Sequence, residues 1–109
     1  MMKVEYVPIG DLRPSQYNPR QMSEKQAADL EASIRKFGMV DPLVVNRHPE
    51  RMNIVIGGHQ RLKAAKVCGI DTVPVVYVEL DEGREKELNL RLNKNLGEWD
   101  YDMLANFEP

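Results

Sequence analysis

The sequence predicts an α+β domain, a small mixed β-sheet with flanking helices. Three observations predict it. Short valine- and isoleucine-rich runs alternate with segments whose apolar residues recur at helical spacing. The elements follow in the order β, long loop, α, β, β, α, β, α, α. The length, 109 residues, holds one domain with a modest core.

Lys3-Val4-Glu5-Tyr6-Val7-Pro8-Ile9 alternates and predicts a first strand, which Pro8 confines to an edge or to its own end. In the next segment, Asp11 to Arg20, Pro14 and Pro19 forbid a regular helix and predict a stiff loop. Ser23 and Gln26 form a capping-box pattern. Ala27, Leu30, Ile34 and Phe37 then recur at helical spacing up to Gly38, a favourable residue just past a helix end. Residues 42–47 and 53–56 read as two strands of a hairpin around the turn-like His48-Pro49-Glu50-Arg51-Met52. Gly57-Gly58 ends the second strand, and a short helix runs from His59 to Val67, closed by Gly69. Thr72 to Leu80 is the most strand-prone run of the chain. From Asp81 onward Leu88, Leu92 and Leu96 mark a charged helix, and one more short helix is expected from Trp99 to Phe107. Residues 1–80 are therefore expected to form the core, with 81–109 a C-terminal helical extension of the same domain.

Composition excludes several classes of function. No apolar run approaches the roughly 18 residues of a membrane span, and the first residues lack the apolar stretch of a signal peptide. A single cysteine, Cys68, excludes an internal disulfide framework and a cysteine-rich zinc site. The expectation is a cytoplasmic protein without membrane contact. The net charge of -2 argues against coating nucleic acid by bulk charge, so any such contact must come from a local basic face. His48 and His59 have no carboxylates at metal-ligand spacing, and no metal site is expected.

The stretch that carries chemistry is Ile56-Gly57-Gly58-His59-Gln60-Arg61. A helix N-terminus offers unpaired N–H groups and partial positive charge, and glycines ahead of it let the backbone approach an anion. Arg61 falls in the first turn, where its guanidinium suits phosphate oxygens, and His59 can add a hydrogen bond. Lys63 and Lys66 extend the basic character of the same helix. Neither a P-loop nor a dinucleotide fingerprint is present, so the residues alone leave two readings open: a phosphate site or a structural turn. The run Asp81 to Glu87 reads as a solvated helix start, and Asn89 and Asn93 as polar residues of a helix face.

Three blocks in order resemble the N-terminal domain of ParB, in the ParB/sulfiredoxin superfamily. They are Leu12-Arg13-Pro14 with Asn18-Pro19-Arg20; Gly58-His59-Gln60-Arg61-Leu62-Lys63-Ala64, where ParB carries GERRxxA; and Val73-Pro74-Val75-Val76 followed by a helix ending Asn93-Lys94-Asn95-Leu96. Gly38 to Val45 is similar to the family's PLxV segment. The resemblance implies binding of CTP or another nucleoside triphosphate with Mg2+. By position, Gly57, Gly58, His59, Gln60 and Arg61 would surround phosphate, Asn18 and Arg20 would line the pocket, and Asn95 would lie on the metal and phosphate side. It also implies DNA as a partner through a downstream domain, and leaves a homodimer open.

His59-Gln60 replaces the Glu-Arg of the ParB box, and Lys94 stands where a glutamate is usual, which counts against CTP hydrolysis. Histidine also stands where sulfiredoxin carries its cysteine, so no thiol nucleophile is available there. The GGHQR form resembles ParB-like domains of phages and mobile elements, which often precede a DNA methyltransferase. Two rivals remain: a phosphoryl-transfer enzyme or nuclease of the same superfamily, for which Asp41 or Glu5 would have to serve as base, and a simple DNA phosphate-binding domain using Arg20, Arg61, Lys63 and Lys66.

Overall fold

The computed structural model describes residues 3–17 and 22–96, without the side chains of 93–96. Asn18, Arg20 and the helix expected from Trp99 to Phe107 lie outside the described residues. Five strands and three helices follow in chain order: β1 (Val4–Pro8), β2 (Arg13–Pro14), α1 (Glu24–Phe37), β3 (Leu43–Asn46), β4 (Ile54–Gly57), α2 (His59–Val67), β5 (Thr72–Val78) and α3 (Glu82–Leu96). They form the mixed α+β architecture that the sequence predicts.

The sheet order is β1-β5-β3-β4-β2. β1 pairs antiparallel with β5, β5 parallel with β3, β3 antiparallel with β4, and β4 parallel with β2. β1 is an edge strand ended by Pro8, as its proline requires. β2 departs from the expected loop: Arg13 and Pro14 pair with Ile54 and Val55, and the Arg13 amide donates to the Asn53 carbonyl at 2.9 Å. The prolines do forbid a helix there, but an edge strand needs hydrogen bonds on one side only, so Pro14 is tolerated. Asn53 takes a left-handed φ of 67° in the β3–β4 connection, a conformation asparagine accepts more readily than most residues.

α1 starts as its capping box dictates. The Ser23 hydroxyl accepts from the Gln26 amide at 3.1 Å, and the Gln26 side chain accepts from the Ser23 amide at 3.0 Å. The main core joins Leu43, Val45, Val55, Val73 and Val75 of the sheet to Leu62 and Ala65 of α2. Each such valine or leucine side chain contributes about 1.5–3 kcal/mol by leaving water. All four residues of β4 are buried, as suits a strand packed on both faces. A register shift between Val44 and Val45 pairs Val45 with Val55 but Val44 with Gly57. This bulge turns the end of β4: Val55 joins the core under α2, while Gly57 lies beside Val44 beneath Leu92 of α3.

Candidate functional site

β4 delivers the chain to α2 through two glycines, each with its own physical requirement. Gly58 caps α2 with φ 96° and ψ 22°, in the left-handed region. A Cβ there would come within 2.5 Å of Leu43 Cδ2 and 3.0 Å of an Arg61 guanidinium nitrogen. At Gly57 a Cβ would stand 2.6 Å from Leu92 Cδ1. The glycine pair thus admits the packing of Leu43, Arg61 and Leu92 around the turn.

The N-terminus of α2 differs from that of α1. Gly58 offers no side-chain cap, and the first turn of α2 has no acidic residue. The amides of His59, Gln60 and Arg61 precede the first intrahelical bond, which runs from the Leu62 amide to the Gly58 carbonyl at 2.8 Å. Side chains add further donors. Arg61 gives one guanidinium N–H to the Pro42 carbonyl at 3.0 Å, while its Nε is buried with no partner among the described residues. Gln60 Nε2 is buried and unpartnered in the same sense. Burial lowers the pKa of Arg61, partly offset by the charge of Asp41, and the group stays cationic. Buried donors of this kind, beside an open helix terminus, fit an anion with several acceptor oxygens.

His59 is committed inward. Its Nε2 accepts from the Ser15 amide at 3.3 Å and lies 3.0 Å from the Ser15 hydroxyl. A nitrogen that accepts an amide is unprotonated, so the imidazole is neutral. Burial lowers its pKa accordingly, against a smaller opposing hydrogen bond with the Val55 backbone. The imidazole therefore ties the segment after β2 to α2.

The structure brings Gly57, Gly58, His59, Gln60 and Arg61 together at one helix end. Lys63 and Lys66 are exposed on α2, whereas the Arg61 guanidinium turns in to Pro42. Asn95 belongs to the last turn of α3, and its side chain lies outside the described part. Of the two carboxylates considered as bases, Glu5 pairs with the exposed Arg47 at 2.8 Å, and Asp41 acts electrostatically on Arg61. Among the described residues no group of three or more His, Cys, Asp or Glu side chains could hold a metal ion.

A second polar cluster was not legible in the sequence, and it corrects the reading of Asp81 to Glu87 as a solvated helix start at one residue, Glu85; the rest of that run is exposed. Glu85 of α3 is 0% exposed. Its Oε1 accepts from Asn46 Nδ2 at 2.7 Å and Arg51 Nε at 3.1 Å; its Oε2 accepts from the Tyr17 hydroxyl at 2.6 Å and a second Arg51 nitrogen at 2.8 Å. Burial alone would raise the pKa of Glu85. The hydrogen bonds from Arg51, Tyr17 and Asn46 outweigh it and hold the carboxyl below its ordinary value. Burial, followed by the bond to Glu85, pushes the Tyr17 hydroxyl far up. One turn along, Asn89 is buried as well and donates to the Ile56 carbonyl at 2.9 Å, not to solvent. Beside the cluster, Tyr17, Arg51, Glu82 and Lys86 help line a cavity of about 460 Å³.

The mixed sheet, with its glycine-ended strand feeding an uncapped helix terminus, has the architecture expected from the resemblance to the ParB/sulfiredoxin superfamily. Comparison with known proteins makes the assignment narrower. The chain belongs to the ParB N-terminal domain family, whose family model matches residues 1–96. It is 40% identical over 91 residues to Stage 0 sporulation protein J of Bacillus subtilis, covering 83% of this chain and 32% of that protein. It therefore spans about a third of the length of that relative. It is 33% identical over 87 residues to the ParB-like nuclease domain-containing protein YnaK of Escherichia coli, covering 78% of this chain and 95% of that one.

Among solved structures, chromosome-partitioning protein ParB from Caulobacter crescentus complexed with CTP-gamma-S superposes with a TM-score of 0.75 at 28% identity, over 95% of this chain and 58% of that one. The same Caulobacter protein complexed to the centromeric parS site gives 0.71 at 25% identity, over 96% and 59%. Sulfiredoxin from Arabidopsis thaliana shares the fold, with a TM-score of 0.66 at 20% identity over 83% of this chain and 99% of that one.

Proposed function

We propose that the domain binds the phosphates of a nucleoside triphosphate at the N-terminus of α2, with CTP the first candidate. The observation that carries this reading is the uncapped α2 terminus together with the buried, unpartnered Nε of Arg61. The residues present fit the group. The amides of His59, Gln60 and Arg61 and the Arg61 and Gln60 side chains are all donors, as phosphate oxygens require. Asn18 and Arg20 would complete the pocket and Asn95 would approach from α3. Likeness to a partitioning protein complexed with CTP-gamma-S supports the choice of nucleotide. Bound nucleotide would supply negative charge to an otherwise unsatisfied donor set, with Mg2+ entering alongside the phosphates.

Association with DNA is the second part of the proposal. The whole protein would reach DNA through a further domain, of partition or methyltransferase type. Likeness to a relative complexed with its parS site supports this part.

Calorimetry with CTP, ATP, GTP and ADP in magnesium tests the nucleotide reading. CTP is expected to bind, and Arg61→Ala to weaken it about 10- to 100-fold, the value of a charge-assisted hydrogen bond. No binding of any of the four at millimolar concentration would overturn the reading.

A further inference from the structure

Glu85 is linked to the α2 terminus by two routes. Along α3, Asn89 holds the Ile56 carbonyl and Leu92 sits over Gly57, the residue two before α2. Through the chain after β2, Tyr17 donates to Glu85, and Ser15, two residues earlier, contacts His59 at the start of α2. Both routes start at one fully buried carboxylate and end within the stretch Ile56 to His59. Arg51 and Asn46 hold that carboxylate against the sheet from two other segments.

We propose that the Tyr17–Glu85 hydrogen bond couples the docking of α3 to the order of the α2 N-terminus, making Tyr17 and Glu85 positioning residues for the anion site. Glu85 fixes where α3 lies, and so where Leu92 closes on Gly57. Tyr17 reads that position and passes it through Ser15 to His59. Loss of the phenolic hydroxyl breaks the second route and leaves the Arg51–Glu85 pair intact. The consequence for nucleotide rests on the function proposed above; the coupling itself does not.

The test is Tyr17→Phe, which keeps the ring and removes one donor. Hydrogen exchange is read by residue without ligand, and CTP affinity is measured with magnesium. Exchange is expected to rise at Ser15, at residues 62–65 of α2 and in the first two turns of α3, while β3 and β5 stay as in the wild type. The urea midpoint should fall modestly, as one hydrogen bond to a buried charged group is lost, and the CTP Kd should rise by up to about tenfold, the part of that loss that the coupling passes to the anion site. In the wild type CTP should slow exchange in α3, and in the variant it should do so less, because coupled sites act reciprocally and only the route through Asn89 and Leu92 remains.

Unchanged exchange at 62–65 in Tyr17→Phe would overturn the coupling, whether or not CTP binds. So would a uniform rise across β3 and β5, which would mean general loosening. Coupled exchange in a protein that binds no CTP would uphold the coupling and remove the nucleotide reading alone. Glu85→Gln is the second variant, and it should raise exchange at Ser15 and at 62–65 as well.

Discussion

Two polar sites lie against β4, and they differ in completeness. Around Glu85 the accounting closes: both carboxylate oxygens accept two hydrogen bonds each, and the Asn46 side-chain oxygen Oδ1 accepts from the His48 and Leu80 amides. At the α2 terminus it stays open, with uncapped amides and the unpartnered Arg61 Nε and Gln60 Nε2. Buried polar groups in folded proteins are nearly always satisfied, so a closed cluster reads as architecture and an open one as capacity for a ligand. The contrast is testable by substitution on each side.

The largest effect is expected on the closed side. Glu85→Ala removes the acceptor of four hydrogen bonds and leaves Arg51, 22% exposed in its side chain, without its main partner. Breaking a buried ion pair from one side costs several kcal/mol; with Arg51 partly reached by water, about 3 kcal/mol is expected in urea unfolding. A change below about 1 kcal/mol would show that the cluster contributes little to docking α3, and the contrast between the two sites would fail.

An intermediate effect is expected on the open side from Gly58→Ala. The substitution puts a Cβ on a left-handed residue and presses it against the fully buried Leu43 and the Arg61 guanidinium. A loss of about 2 kcal/mol in stability is expected, together with weaker CTP binding as Arg61 is displaced. Full stability with normal binding would show that the terminus relaxes freely and that Gly58 is a turn residue only.

The two sites also differ in how far they could be read from the chain. The α2 terminus is contiguous, so glycines, helix start and arginine were visible as one motif. The capping box of α1 and the β3–β4 hairpin are equally local, and both form. Glu85 looked like any acid in a charged helix start because its partners stand far off, at Tyr17, Asn46 and Arg51. The spacing of Leu88, Leu92 and Leu96 suggested a leucine-bearing face, yet Asn89 and Glu85, four apart, carry the buried polar contacts. β2 was hidden for a similar reason: two residues form a strand only because β4 offers them an edge. Sheet order, set by parallel pairing across α1 and α2, had no local signature either.

The smallest effect separates the two sites by pH. Burial lowers the pKa of His59, so the folded state resists a proton that the unfolded chain takes up near its ordinary value, about 6.5. Unfolding is then favoured as pH falls from about 6.5 through the folded pKa, and the contribution is complete above that window. Glu85 has the same sign, since its folded pKa is also lowered, but its window opens only near the ordinary carboxylate value, about 4.3. The α2 side should therefore weaken first on acidification. Urea midpoints compared at pH 7.5 and 5.5 should fall for the wild type and fall less for His59→Gln, whose amide oxygen can still accept from Ser15. Equal falls in the two proteins would mean that His59 takes its proton without releasing Ser15, and the neutral imidazole inferred from the Ser15 amide contact would be wrong.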